Sequence, residues 1–360
     1  MRYFIYFLLT TFIFANGSKL CKTCHPLIYK EYKTSMHFKS TLSRDKIHNA
    51  VWQKHPLRKK NEYKCAKCHD PKVDGKLESG VDCISCHKIR DIKEHSIANS
   101  NVYEKEPKTF YSKDIKRRDK KVTYHKESSL FGLFSKTIGS PYHHIDYRNK
   151  IYYNGKVCMG CHSHLKNANG VTLCKTPIKG AENEKQNCIT CHMPKVLGSS
   201  TTIKITKKHA YHGFLGAYNN PKELAKYVDL NISESKNGFR VTIKNNTPHP
   251  LFTHPLRVVR LIVEAKRGKE VVFKKNIDFY KVFGKDNITT MPPFANRVLI
   301  DSMLKEEERR DIDIPLNSKN INLSATLGYF LIDKKSAKAL GIKDKELLDF
   351  IELKRVEKSF

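Results

Sequence analysis

Between residues 217 and 335 apolar and polar side chains alternate in short runs, the period of two that marks half-buried strands. The runs predict strands over 228–233, 239–245, 257–265, 270–279, 297–301, 310–314 and 321–332. Asn237-Gly238 and Arg267-Gly268-Lys269 supply turns between neighbouring runs, because Asn and Gly tolerate the positive φ that tight hairpins need. Seven short strands at this spacing predict an all-β, immunoglobulin-like sandwich. Beyond it, within 336–360, residues 343–357 repeat apolar positions at helical spacing. The expectation there is an amphipathic C-terminal helix packing Leu347, Phe350, Ile351 and Leu353 on the sandwich.

The first half of the chain reads differently. Behind Arg2, residues 3–14 are an unbroken run of apolar residues and Thr, followed by the small residues Ala15 and Gly17 around Asn16. This predicts a signal peptide over 1–17 and an exported, periplasmic product. The run is short of the ~20 residues that span a bilayer, so the exported chain is expected not to be membrane-spanning. Residues 18–216 show no long helical or strand periodicity and are expected to be mostly α and irregular. Hydrophobic residues make up only 39% of the 360, with a mean hydropathy of -0.56. That is a thin supply for the interior of two domains, so another apolar body is needed to fill it.

The cysteines say what that body is. Ten of the 11 fall into five copies of C-x-x-C-H: Cys21/Cys24/His25, Cys65/Cys68/His69, Cys83/Cys86/His87, Cys158/Cys161/His162 and Cys188/Cys191/His192. Random placement would give roughly 0.02 such motifs, and this spacing is the mark of c-type haem attachment. Two thiols three residues apart lie on one side of a helical turn and add to the two vinyl groups of one haem. The following His then presents its imidazole to the iron. A zinc ribbon would not need a His directly after the second Cys every time. The expectation is therefore five covalently bound haem c groups and a multihaem cytochrome c domain with a haem-packed core over 18–216. The sandwich follows over 217–335. Cys174 stands outside the pattern, either as a small buried hydrophobe or as an exposed thiol.

Five of the 17 histidines belong to the motifs, and five of the remaining twelve can close the sixth position of each iron. His95, shortly after His87, is one candidate ligand. The segment running from Cys24 and His25 through Tyr29, Tyr32 and Ser35 to His37 resembles the opening of the cytochrome c554 and hydroxylamine-oxidoreductase class. In that class a Ser-x-His supplies a haem ligand, which implies His37. Gly80-Val81-Asp82-Cys83 and the stretch from Asn187 to Lys195 are similar to recurring stretches of the same class. So is Tyr142-His143-His144 ahead of a motif. The resemblance implies that one of His143 and His144, and one of His209 and His212, is a ligand. The fifth stays open among His48, His55, His125, His164 and His249. The stretch 245–250, followed by Arg257, resembles a loop of the C-terminal β-domain in such cytochromes, although His254 stands where the pattern has Gly.

Net charge is +31, and ten propionates would leave the holoprotein strongly basic. That points to an acidic redox partner, with a quinol-linked membrane donor behind it, rather than to nucleic acid, a poor partner for an exported haem protein. The expected role is electron transfer between respiratory-chain donors and a terminal redox partner, as in anaerobic respiration. The alternative is a redox enzyme acting on a small nitrogen or sulfur oxyanion.

Overall fold

The computed structural model describes residues 17–71, 78–129, 134–176, 182–317 and 319–360. All of the expected signal peptide but Gly17 lies outside them. Among the described residues no helix is long and apolar enough to cross a membrane.

Residues 228–360 form two packed sheets. In one, Val228–Ser235 pairs with Gly238–Asn245, which pairs with Arg309–Ile314. In the other the order is Glu270–Phe279, Val258–Arg267, Asn322–Phe330, Ile351–Ser359, all antiparallel. The alternation explains the packing. Leu230, Ile232, Val241 and Ile243 of the first sheet and Leu261, Val263, Leu323 and Leu327 of the second are buried in one core. Six of the seven expected strands lie in this sandwich. Arg297–Asp301 instead joins Lys281–Lys285 and Ile288–Thr289 in a small separate sheet.

The C-terminus corrects the sequence reading. The expected helix over 343–357 is not formed: a short helix at Lys345–Leu348 stops, and Ile351–Ser359 is a strand on the sandwich edge. Ile351 and Leu353 fit a period of two as well as a helical one. What decides is the free edge of Asn322–Phe330, whose backbone groups gain a full ladder from this segment.

Upstream, the helices among the described residues are short; the longest of them, Pro26–Thr34, has 9 residues. They alternate with small ribbons, such as Ile89–Lys93 with Ser100–Tyr103 and Lys195–Leu197 with Lys208–Ala210. The side-chain clusters there are small beside that of the sandwich. What organises this half is a cavity.

Candidate haem-binding site

A continuous cavity of about 3420 Å³ is lined by residues from all five C-x-x-C-H motifs. An ordinary ligand pocket holds roughly 300–1,000 Å³, so this one has room for several cofactor-sized bodies. Its lining is mostly apolar, as a macrocycle requires.

Each motif is built locally. Asp82 caps the helix Cys83–His87, its carboxylate accepting the Ser85 amide at 2.7 Å. Asn187 and Thr190 form a reciprocal cap on Cys188–His192, and the Cys191 amide donates to the Asn187 carbonyl at 3.1 Å. These caps give a physical reason for Asp82 and Asn187 in front of the third and fifth motifs, which the sequence showed only as a recurrence. In the first motif the His25 amide donates to the Cys21 carbonyl at 2.8 Å, closing the turn.

The fifth motif is placed differently from the other four. It reaches the cavity wall through Ile189 and Thr190, whereas Cys188, Cys191 and His192 are not part of that wall. The two thiols have different neighbours. Cys188 is in hydrogen-bond contact with Cys158, and Cys191 with the hydroxyl of Tyr227, at the entry to the sandwich. Burial and the Cys191 contact together push the Tyr227 hydroxyl up to about 12 in pKa.

Three of the five motif histidines are oriented by carbonyls. Nδ1 of His25 donates to Ser200 O at 2.6 Å, that of His87 to Tyr111 O at 2.7 Å, and that of His192 to Leu215 O at 2.6 Å. Such a bond fixes the ring and leaves Nε2 for a metal. Burial pulls the His87 and His162 imidazoles below their ordinary pKa, and that of His69 down to about 3. A neutral imidazole is the ligating form.

Four of the five stand opposite a second imidazole. Ring centroids are 6.2 Å apart for His25 and His143, 6.3 Å for His87 and His212, 6.3 Å for His192 and His249, and 6.0 Å for His162 and His37. Two imidazoles bound to opposite sides of one ion at ~2.0 Å, each centroid ~1.2 Å behind its nitrogen, come out ~6.3 Å apart. Such a spacing would suit one iron between two histidines. Nδ1 of His212 and of His249 donates to a carbonyl, Ala210 O at 2.7 Å and Pro250 O at 3.0 Å, so these rings are directed like the motif rings. Among the described residues no three His, Cys, Asp or Glu side chains converge as a bare ion would require.

Local structure places these partners. Ser35 is wholly buried and caps Met36–Lys39 by accepting the Phe38 amide at 3.1 Å, which sets His37 against the edge of Phe214. His249 sits on a turn closed by Asn245, whose side-chain amide donates to His249 O at 2.9 Å and to Lys305 O at 2.8 Å.

The other sequence candidates go elsewhere. His209 uses both nitrogens, Nδ1 with Gly198 O and Nε2 with Glu31 Oε1, each at 2.9 Å. His144 has Nδ1 3.7 Å from Glu106 Oε1 and faces no motif histidine. His95 is exposed, and its carbonyl takes the His164 Nε2–H at 2.9 Å. None of His95, His144 and His209 is brought opposite a motif ring. His249, left open by the sequence, is. Half-buried Cys174 lies on the strand Thr172–Lys175, its thiol pushed up in pKa by burial.

His69 is different. Its imidazole neighbour is His48, with centroids only 4.0 Å apart and planes at 42°, which leaves no room for an ion between their nitrogens. His48 is occupied at Nδ1 by Ser40 O, at 3.1 Å. The sequence left every iron able to take a second histidine; no imidazole stands at that spacing from His69 among the described residues.

The motifs also touch one another. Thiols of Cys21 and Cys83, of Cys68 and Cys161, and of Cys158 and Cys188 are in hydrogen-bond contact. Cys86 lies within electrostatic reach of Cys158 and Cys161.

Residues 20–88 match the family described as cytochrome c554 and c-prime. No curated protein matches the chain. Its fold is similar to that of a penta-heme cytochrome c552 from Thermochromatium tepidum, with a TM-score of 0.73 and 23% identity, over 96% of this chain and 99% of that one. The likeness is one of fold: a multihaem c-type cytochrome with a β-rich C-terminal region. Covalently bound haem c is the group that the thiol pairs, the oriented imidazoles and the apolar cavity fit.

Proposed function

We propose that this multihaem c-type cytochrome carries five haem c groups, one at each C-x-x-C-H motif, and passes electrons between redox partners outside the cytoplasm. The observation that carries the reading is the set of four imidazole pairs at 6.0–6.3 Å. Two histidines on one iron leave no vacant site for substrate and favour a low potential. The haem supplies the redox change. The chain supplies buried neutral imidazoles, the carbonyls that fix their rings, and contact between motifs. Thiol contacts, and between the third and fourth motifs the electrostatic reach of Cys86, order the motifs as first, third, fourth and fifth, with the second branching from the fourth. An array of that kind conducts across the domain.

Arg2 and the apolar run after it support export to a periplasm, and the charge of +31 favours an acidic protein partner over a nucleic acid. A quinol-linked donor and an oxidising terminal partner fit such a carrier.

His69 favours a second reading, a redox enzyme for a small nitrogen or sulfur oxyanion, because among the described residues no imidazole stands at ligand spacing opposite it. One experiment separates the two. The reduced holoprotein, shown by intact mass to carry five haems, is mixed with nitrite, hydroxylamine, sulfite or tetrathionate in a stopped-flow instrument. The carrier reading expects slow, single-turnover reoxidation; rapid multi-turnover oxidation blocked by cyanide would replace it with the enzyme.

A further inference from the structure

The end of the cavity around His69 is completed by the β-sandwich. The loop that gives His249 to the fifth motif runs on into His254 and Arg257, and both line the cavity together with Tyr218, Asp45 and His48. Arg257 is half-buried at the cavity wall, and its buried Nε–H has no hydrogen-bond partner. Tyr218 hydrogen-bonds the guanidinium and lies with its ring centroid 5.5 Å away, and Phe252 lies 6.0 Å away. The carboxylate that acts on it, Asp45, does so from a distance and makes no ion pair with it among the described residues. Asp45 accepts the His48 amide at 3.0 Å, and burial raises its own pKa, which weakens it further as a counter-ion.

A cation with a buried, unmatched donor is costly where no anion compensates it. The neighbouring Arg260 shows the ordinary solution, donating to both oxygens of Asp278 at 2.6 and 2.7 Å. Arg257 has no such partner among the described residues. His254 adds a donor of the same kind. Its Nδ1 accepts the Leu256 amide at 3.3 Å, so its proton sits on Nε2. It lies deep in the molecule within electrostatic reach of His69, yet much of its surface is open, and the space it opens onto is the cavity.

We propose that Arg257, Tyr218 and His254 form an oxyanion-binding site beside the haem attached at Cys65 and Cys68. It takes either a small dissolved anion or the propionate carboxylate of that haem. The site presents donors from three side chains and the one carboxylate near it is turned to the His48 amide, a composition that selects negative oxygen or nitrogen ligands over neutral ones. It rests on the haem reading of the second motif, and it makes the sandwich part of that haem's environment.

The test uses the holoprotein, its Arg257→Met and Arg257→Lys variants, and Arg260→Gln as a control. Intact mass comes first: a chain lacking the haem at Cys65 and Cys68 defeats the haem reading itself, separately from the site. Azide titration followed by absorption then reads a dissolved anion. A saturable change in one haem that weakens roughly thirtyfold or more in Arg257→Met, and less in Arg257→Lys, with neutral imidazole binding unchanged, supports the site with an external ligand. No response to azide, but a more negative potential of a single haem in Arg257→Met by spectroelectrochemical titration, supports it with the propionate. Unchanged azide affinity together with five unchanged potentials overturns the proposal, as does an equal effect in Arg260→Gln. Arg257→Lys keeps the charge and covers the case in which Arg257→Met fails to fold.

Discussion

The imidazoles of His192 and His249 face each other with centroids 6.3 Å apart and ring planes 23° apart, although one belongs to the motif-bearing half and the other to a loop of the β-sandwich. The two halves are therefore joined through a pair suited to one iron. In His249→Ala the haem count by intact mass should stay unchanged while one low-spin haem becomes high-spin in the oxidised EPR spectrum. An unaltered spectrum would remove His249 from the ligands.

Ring-plane angles separate the four pairs. Three are near-parallel, at 29°, 20° and 23°, whereas His37 and His162 stand at 69°. Near-parallel axial planes split the iron d orbitals that π-bond to imidazole, and near-perpendicular planes leave them almost degenerate. Low-temperature EPR should show three rhombic low-spin signals and one strongly anisotropic signal. The anisotropic one alone should disappear in His37→Ala.

His209 is structural by its bonds. It joins Gly198 O to Glu31, and the second oxygen of Glu31 takes the His212 amide at 2.9 Å. His209→Ala should lower stability by about 1–3 kcal/mol, the cost of leaving buried polar groups unmatched. Thermal denaturation reads that loss. The His95→Ala variant should match the parent in both stability and spectrum.

Gly328 tests the C-terminal strand. A Cβ there would lie 2.3 Å from the Phe350 ring and 2.4 Å from Ile351 O. The strand irregularity between Leu327 and Gly328 opposes the start of Ile351–Ser359. Gly328→Ala should cost about 1–3 kcal/mol in denaturant unfolding, the usual range for overpacking. A helical C-terminus, with no strand at that place, would leave the midpoint unchanged.

Asp146 carries a pH dependence. Its carboxylate accepts from Arg148 Nε at 2.9 Å and from Nη2 at 2.7 Å, and this pairing holds its pKa below the ordinary value. A folded pKa below the unfolded one adds stability above the unfolded value near 4, and this is lost as pH falls through the folded pKa. Arg148 is more than half exposed, so the contribution is about 1 kcal/mol or less. Asp146→Asn should lower the melting temperature at pH 7 and have little effect at pH 2.

The sequence by itself determined the features that act over a few residues. Cys83, Cys86 and His87 share one turn whatever surrounds them, and the alternation in 228–245 and 258–267 already says which side chains turn inward. Periodicity and motif spacing are local, so they survive without a tertiary context. Only the tertiary structure decided which histidine meets which. His143, His212 and His249 reach their partners through loops and ribbons whose closure is set by distant contacts, such as Asn245 with Lys305 O. Nothing in the spacing of His95, His144 or His209 distinguishes them from those three. Nor does the spacing of Cys188 and Cys191 show that one thiol meets Cys158 and the other Tyr227. The same holds for 351–359, where apolar residues fit two periods and the open edge of Asn322–Phe330 settled the choice. It holds also for Arg257, whose charge is plain in the sequence but whose unmatched donor exists only once Tyr218, Phe252 and the cavity wall enclose it.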